Sequence, residues 1–138
     1  MIPPGIDLAV TVYAAWRAGA VAVLVDGALS PPQMTAALRS ANPKWLVGIT
    51  RALTAARALR WPGTPIASSP LSNAQQRALA TSLDIATLAT NHGDDPLPEL
   101  PTVGDHSAVV FTSGSTGPSK GVRYTCLLYT SPSPRDRG

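Results

Sequence analysis

The sequence predicts an α/β fold with a mostly parallel sheet flanked by helices. Short apolar runs, rich in β-branched residues, alternate with longer segments of helical spacing over the first 59 residues. Such alternation is typical of βαβ units, in which each helix crosses back over the sheet with a right-handed turn. The composition agrees with one compact domain, since 44% of the 138 residues are hydrophobic and only 14% are charged.

The first two predicted elements are an amphipathic helix and a buried strand. Residues 7–18 place Leu8 and Val12 on one side at helical spacing, and Gly19 follows where a left-handed C-cap is expected. Residues 21–25 are an unbroken apolar run, which is typical of a strand buried on both faces of a parallel sheet. Asp26 ends this strand, and we expect it to cap the following loop rather than to bind a ligand.

Two later helices begin with capping patterns. Ser30 precedes two prolines and is followed by Gln33, so a helix should run from there to about Ser40. Ser72 and Gln75 have the same spacing before a helix over 73–79. The remaining predicted elements are a strand over 45–49, a helix over 52–59, a short helix over 85–89, a polar connection over 90–105 and a strand over 108–111.

Charge and residue usage argue against several functional classes. The formal net charge is +3, but the basic residues are spread out, so we expect no nucleic-acid partner. The single cysteine, Cys126, rules out a disulfide framework, and two histidines, His92 and His106, are too few for a zinc site, so no metal site is expected. No apolar run approaches the ~18 residues of a membrane span, and no secretory signal is present, which predicts a cytoplasmic protein without a transmembrane segment.

The strand over 108–111 leads directly into a loop with the sequence TSGSTGPSKG, residues 112–121. Glycines allow backbone N–H groups to approach an anion, hydroxyls can donate hydrogen bonds, and Lys120 adds a compact positive charge. A buried strand would hold this loop at the sheet edge where ligands bind in α/β folds. The order of residues therefore predicts a phosphate-binding loop, and a flexible surface loop is the alternative.

The loop does not fit the other common nucleotide-binding patterns. A Walker A loop needs glycine directly before its lysine and serine or threonine directly after it. Aligned on Gly114 and Lys120, this sequence has Ser119 and Gly121 at those two places. The three spaced glycines of a dinucleotide fingerprint are also missing, which argues against a mononucleotide kinase or an NAD enzyme.

The stretch FTSGSTGPSKGV, residues 111–122, resembles the phosphate loop of adenylate-forming enzymes, the superfamily of acyl-CoA synthetases, nonribosomal-peptide adenylation domains and luciferases. Residues 3–26, PPGIDLAVTVYAAWRAGAVAVLVD, resemble the early strand, helix and strand of that superfamily. Pro118 and Ser119 depart from the family, many members of which have a variable residue and then proline. The resemblance covers residues 1–125 and implies a partial N-terminal domain that ends just after the phosphate loop.

The resemblance also implies a function and a set of site residues. The expected enzyme is an ATP-dependent ligase that activates a carboxylic acid, preferably a fatty acid, as an acyl-adenylate. Mg²⁺ would be shared among the phosphates, and CoA would accept the acyl group to form a thioester. A solvated lysine at the start of the next strand is the alternative for Lys120. The residues implied to contact phosphate are Thr112, Ser113, Gly114, Ser115, Thr116 and Gly117, with Lys120 as an electrostatic partner.

Both ends of the chain are expected to be artificial. Residues 126–136, CLLYTSPSPRD, resemble the translation of a transposase-type sequencing-library adapter, so residues 126–138 are interpreted as not native. Met1 is interpreted as an internal methionine, because family members have a strand that runs into the following turn. The family's adenine-binding, ribose-binding and C-terminal lysine residues would lie downstream of Gly121.

Three alternatives remain open at the level of sequence. The chain could be a stand-alone, non-catalytic phosphate- or nucleotide-binding module, or a truncated translation without function. Residues 45–63 also resemble a narrower group, the adenylating enzymes of olefin-type β-lactone formation. The expectation of an acyl-CoA-synthetase-like ligase does not depend on this resemblance.

Overall fold

The computed structural model describes residues 1–96, 108–111 and 121–124. The helices there are α1 (Ile6–Arg17), α2 (Pro31–Ala41), α3 (Thr50–Ala58), α4 (Asn73–Leu79) and α5 (Ile85–His92). The strands are β1 (Ala22–Val25), β2 (Trp45–Gly48), β3 (Thr64–Ala67), β4 (Ala108–Phe111) and β5 (Gly121–Tyr124). The α/β prediction is confirmed. None of the helices in these ranges combines the length and hydropathy needed to cross a bilayer.

The strands form two small sheets. One sheet has the order β1-β4-β5, and the other contains β2 and β3. The pairs β1–β4 and β2–β3 are parallel, whereas β4 and β5 are antiparallel. The mostly parallel character that the sequence predicted is therefore present, but it is divided between two sheets.

One hydrophobic core lies against both sheets. Well-buried members come from α2, α3, β2, β3 and β4, namely Leu38, Leu53, Leu46, Ala67 and Phe111. Trp61, also buried, donates a hydrogen bond from Nε1 to the hydroxyl of Thr35 in α2 at 2.7 Å. The bond satisfies the indole N–H and ties the segment after α3 to α2.

The predicted helix ends are confirmed. Gln33 Oε1 accepts hydrogen bonds from the Ser30 N–H at 3.0 Å and from the Ser30 hydroxyl at 2.8 Å. Ser72 N–H donates to Gln75 Oε1 at 2.9 Å, and Gln75 N–H donates back to Ser72 Oγ at 3.3 Å. Gly19 follows α1 with φ of 68°, the left-handed conformation in which glycine carries no Cβ penalty.

Two secondary-structure predictions were wrong. β3 was missed because it is only four residues long, follows a Pro-Gly turn and contains Pro65. α5 begins where it was predicted but continues to His92, so residues 90–92 are helical and not part of the polar connection. The Thr90 hydroxyl donates to the Ala86 carbonyl at 3.0 Å, which satisfies this polar side chain within the helix.

β1 and α1 are less buried than the sequence predicted. Ala22 is buried, but the other three residues of β1 are only half-buried. No residue of α1 is buried, and Ile6, Val10 and Tyr13 are 82%, 53% and 68% exposed. The prediction of a strand buried on both faces was therefore wrong, because α1 covers β1 only loosely.

Met1 lies beside β2 on the side away from β3. Its amino group donates to the carbonyl of Val47, and the N–H of Ile49 donates to the Met1 carbonyl at 3.3 Å. This is the pattern by which a parallel strand residue pairs opposite Gly48. Burial lowers the pKa of the Met1 amino group from 8.0 to about 6.

Candidate functional site

The predicted phosphate-contacting residues lie outside the described residues. They are Thr112, Ser113, Gly114, Ser115, Thr116, Gly117 and Lys120. Their contact with phosphate stays a prediction. The structure does describe β4 and β5, the strands at the two ends of this loop, and these strands decide where the loop leaves the sheet and where it returns.

The β4–β5 pair brings the two ends of the loop together. Phe111, the last residue of β4, lies directly opposite Gly121, the first residue of β5. Opposite residues of an antiparallel pair have Cα atoms about 4.5 to 5.5 Å apart. Residues 112–120 therefore leave and return at one point of the sheet, so the loop is anchored at both ends.

Gly121 leaves room for the ring of Phe111 at the base of the loop. A Cβ atom on Gly121 would lie 2.9 Å from Cζ and 3.1 Å from Cε1 of Phe111, and 3.1 Å from Cγ1 of Val109. Phe111 is only 6% exposed and belongs to the hydrophobic core, so its ring has little room to move. Sequence reasoning did not find this packing role, because it depends on a neighbouring strand.

The Gly121→Ala variant should disturb the base of the loop. The added methyl group must displace the Phe111 ring or shift β5, and we expect it to lower the free energy of unfolding by about 1 to 3 kcal/mol. Phe111 is the chain's only phenylalanine, so ¹³C-labelled phenylalanine gives a ring signal that reports on this contact alone.

The neighbouring residue Val122 provides a matched control for this variant. Val122 is 45% exposed, and Val122→Ala should change stability by no more than about 0.5 kcal/mol. Ring shifts and unfolding midpoints in Gly121→Ala that equal those of the unmodified chain would contradict the packing role.

The C-terminal end of β1 lies beside the start of the loop. Val25 pairs with Phe111, and the Asp26 N–H donates to the Phe111 carbonyl at 3.0 Å. The Asp26 carboxylate accepts a hydrogen bond from the Ala28 N–H at 2.9 Å, which confirms the predicted loop cap. Because β1 and β4 are parallel and end together, this edge has the position at which α/β folds bind ligands.

The described residues offer two other places that a ligand could approach. An open groove of about 370 Å³ is lined by Pro31, Pro32, Thr35, Ala36, Arg39 and Leu59. The Thr35 hydroxyl is already engaged, since it donates to Pro31 O and accepts from Trp61 Nε1. His92 Nδ1 lies 2.8 Å from Asp95 Oδ2 on the surface, and residues 1–96, 108–111 and 121–124 contain no group of three potential metal ligands. The groove has one charged donor, Arg39, but no glycine at which backbone N–H groups could approach a phosphate closely, and the Asp95 carboxylate beside His92 would repel one.

Comparison with known proteins gives one family and two curated relatives. The family model described as "AMP-binding enzyme" matches residues 1–129. The olefin beta-lactone synthetase of Xanthomonas campestris pv. campestris is 32% identical over 125 residues, and that of Stenotrophomonas maltophilia K279a is 30% identical over 124 residues. Each alignment covers 90% of this chain but only 22% of the relative. The chain thus spans about a fifth of the length of these relatives.

A solved structure has the same fold. The o-succinylbenzoate CoA synthetase of Bacillus subtilis, in complex with its acyl-adenylate intermediate, superposes with a TM-score of 0.58 and 18% sequence identity. The superposition covers 91% of this chain and 28% of the synthetase chain. The similarity confirms that the described elements have the architecture of one part of a larger enzyme domain.

Proposed function

Because this chain belongs to the AMP-binding enzyme family, we propose that it is part of an ATP-dependent ligase that activates a carboxylic acid as an acyl-adenylate. The observation that carries this proposal is the family match over residues 1–129, which includes the whole predicted phosphate loop. The β4–β5 pair supports it, because it anchors both ends of that loop at the carboxyl edge of a parallel strand pair.

In the proposed reaction, a carboxylate oxygen attacks the α-phosphorus of ATP and pyrophosphate leaves with the electron pair of the broken P–O bond. The chain's contribution is to hold the β- and γ-phosphates with the N–H groups and hydroxyls of residues 112–117, while Lys120 offsets negative charge on the leaving group. The loop hydroxyls and the phosphate oxygens are hard oxygen donors, which suits Mg²⁺. Mg²⁺ would supply further neutralisation of phosphate charge.

The acyl substrate and the acceptor are finer parts of the proposal. We propose a fatty acid as substrate and the CoA thiol as acceptor, where thiol attack on the acyl carbon releases AMP and forms a thioester. The two curated relatives favour a second candidate, since both are named olefin beta-lactone synthetases. A β-lactone joins the carboxyl carbon to an oxygen on the β-carbon, so this route requires a 3-hydroxy acid whose own hydroxyl displaces AMP.

We also propose which residues belong to the native enzyme. Residues 1–125 are part of the N-terminal domain of the ligase, and residues 126–138 are not native. The coverage of 22% of each relative favours a part of a longer enzyme over a complete phosphate-binding module. Sequencing the native gene through codon 126 distinguishes the two, because a ligase must continue for several hundred residues.

Carboxylate-dependent ATP–pyrophosphate exchange by the full-length enzyme tests the proposed function. We expect exchange with at least one member of a panel of fatty acids and 3-hydroxy fatty acids. Mass spectrometry then identifies the acceptor: an acyl-CoA forms only when CoA is added, whereas a β-lactone forms without CoA and is lighter than the acid by one water. Exchange that no carboxylic acid stimulates would overturn the proposal.

A further inference from the structure

We infer that the groove between α2 and the end of α3 is a docking site for an acidic, amphipathic helix of a partner protein. The groove supplies apolar walls, and exposed arginines beside it supply positive charge with no carboxylate among them. The inference is independent of the proposed ATP chemistry, because it uses no residue of the predicted phosphate loop.

Residues 27–83, which include α2, β2, α3, β3 and α4, carry positive charge only. They contain five arginines and Lys44 but no aspartate or glutamate, although the chain has eight acidic residues in all. Protein interfaces are enriched in arginine and depleted in lysine, aspartate and glutamate relative to the rest of the surface. The composition of this range therefore resembles that of an interface, and its charge favours an acidic partner.

Helix stabilisation explains only part of this charge pattern. Arg39, Arg57 and Arg77 each lie in the last turn of a helix, where positive charge is favourable. The same effect favours acidic residues in the first turn, yet α2, α3 and α4 have none there. The helix dipole therefore accounts for where the arginines lie but not for the missing carboxylates.

The fold brings three of the arginines to one side of the β2–β3 sheet. The two strands are parallel, and their first residues, Trp45 and Thr64, pair with each other. α2 ends just before β2 and α3 ends just before β3, so both helices end at the same edge of this sheet. Arg39 lies in the last turn of α2, and Arg57 and Arg60 lie at the end of α3.

These three arginines are available to a partner. Arg39, Arg57 and Arg60 are exposed, and within residues 1–96, 108–111 and 121–124 none of them forms an ion pair with a carboxylate. A carboxylate of a partner would therefore meet positive charge that no acidic side chain of this part of the chain already neutralises. Hydrogen bonds between guanidinium and carboxylate groups are among the stronger ones in proteins.

The groove beside these arginines is apolar. It has a volume of about 370 Å³, and Pro31, Pro32, Ala36 and Leu59 form most of its walls, with Arg39 beside them. Leu59 is 39% exposed, although it is a large apolar residue. Exposed apolar surface rimmed by polar residues is typical of an interaction site.

A helix fits this combination better than other anionic partners do. Amphipathic helices place apolar side chains at i, i+3, i+4 and i+7 into apolar grooves, and glutamates beside them can pair with arginines. A membrane surface is met by apolar side chains that project into it, whereas these walls form a hollow. A nucleic-acid strand stacks on aromatic side chains, and no described residue that lines the groove is aromatic.

Fluorescence anisotropy with the full-length enzyme tests the docking site. The probe is a fluorescein-labelled helical peptide of about 18 residues, with leucines at i, i+3, i+4 and i+7 and glutamates and alanines elsewhere. Two matched peptides replace every leucine by serine or every glutamate by lysine. The acidic leucine peptide should bind at least about tenfold more tightly than either of them.

Charge reversal locates the binding site. Arg39→Glu and Arg60→Glu should each weaken binding of the acidic leucine peptide by about tenfold or more. Arg51→Glu is the matched control, because Arg51 is also exposed but lies in the first turn of α3, at the other end of that helix. It should change the affinity by less than about threefold in physiological salt, which screens charges more than about 8 Å apart.

Hydrogen exchange of the unmodified enzyme makes the test independent of how the variants fold. With the acidic leucine peptide bound, protection should be confined to residues 31–41 and 57–61, and protection elsewhere or none would overturn the inference. Equal affinity for the serine peptide, or equal weakening by Arg51→Glu, would also overturn it, because either result indicates general charge attraction. Phosphatidylglycerol vesicles that bind more tightly than the peptide, and through Arg39 and Arg60, would assign the surface to a membrane and overturn the helix as its occupant.

Discussion

The 138-residue chain by itself should bind MgATP with a Kd no tighter than about 1 mM and should form no acyl-adenylate. The phosphate loop can offer N–H groups, hydroxyls and one lysine charge, but by resemblance the adenine and ribose contacts lie downstream of Gly121. A dissociation constant of 1 mM corresponds to about −4 kcal/mol, and a few phosphate contacts must first overcome several kcal/mol of lost translational and rotational freedom.

Titration calorimetry with MgATP and an assay of carboxylate-dependent pyrophosphate release measure the two parts of this expectation. The full-length enzyme, assayed in parallel with the same acids, shows that the reagents and substrates are competent. Micromolar affinity of the short chain, or turnover that disappears in its Lys120→Ala variant, would show that the chain is a complete small domain.

Replacing Lys120 by alanine in the full-length enzyme should slow adenylation by roughly 10- to 150-fold. This range corresponds to the loss of about 1.5 to 3 kcal/mol for a hydrogen bond to a charged group. Thr116→Ala should act in the same direction, because Thr116 belongs to the predicted phosphate-contacting set. The measurement is ATP–pyrophosphate exchange at saturating carboxylic acid.

Arg123 gives a matched control for the loss of charge. It lies three positions after Lys120, in β5, with its side chain exposed. Arg123→Ala should therefore leave exchange close to that of the unmodified enzyme, while Lys120→Arg should restore part of the activity lost in Lys120→Ala. Exchange rates unchanged in both Lys120→Ala and Thr116→Ala would remove these residues from the site.

Local sequence patterns predicted most of the helices and, of the two strands at the ends of the loop, β4. The caps at Ser30 and Ser72 formed as predicted, because they depend on residues within one turn. β4 was predicted because its four apolar residues directly precede the glycine-rich loop. β3 was not, because Pro65 and its short length resemble a turn more than a strand.

The site was harder to predict, because its arrangement depends on contacts between distant segments. The loop cap at Asp26 was predicted and is confirmed, whereas the phosphate-binding chemistry of the loop stays a prediction. No sequence pattern indicated that Gly121 would lie against the ring of Phe111. The pairing of Met1 with β2 was equally hidden, since one residue carries no periodicity. Both features depend on which strands become neighbours, and helical or strand spacing does not encode that choice.

The parallel pairing of β1 with β4 constrains the order of events during synthesis on the ribosome. Ala22 lies beside Ala108, whereas Trp45 lies beside Thr64, so the β2–α3–β3 unit can close long before β1 meets its partner. Closing the longer loop costs more chain entropy, and pairing between distant residues is slower. The edge of β1 that faces β4 therefore stays unpaired until residue 111 has emerged, and an open apolar strand edge of this kind favours aggregation during that interval.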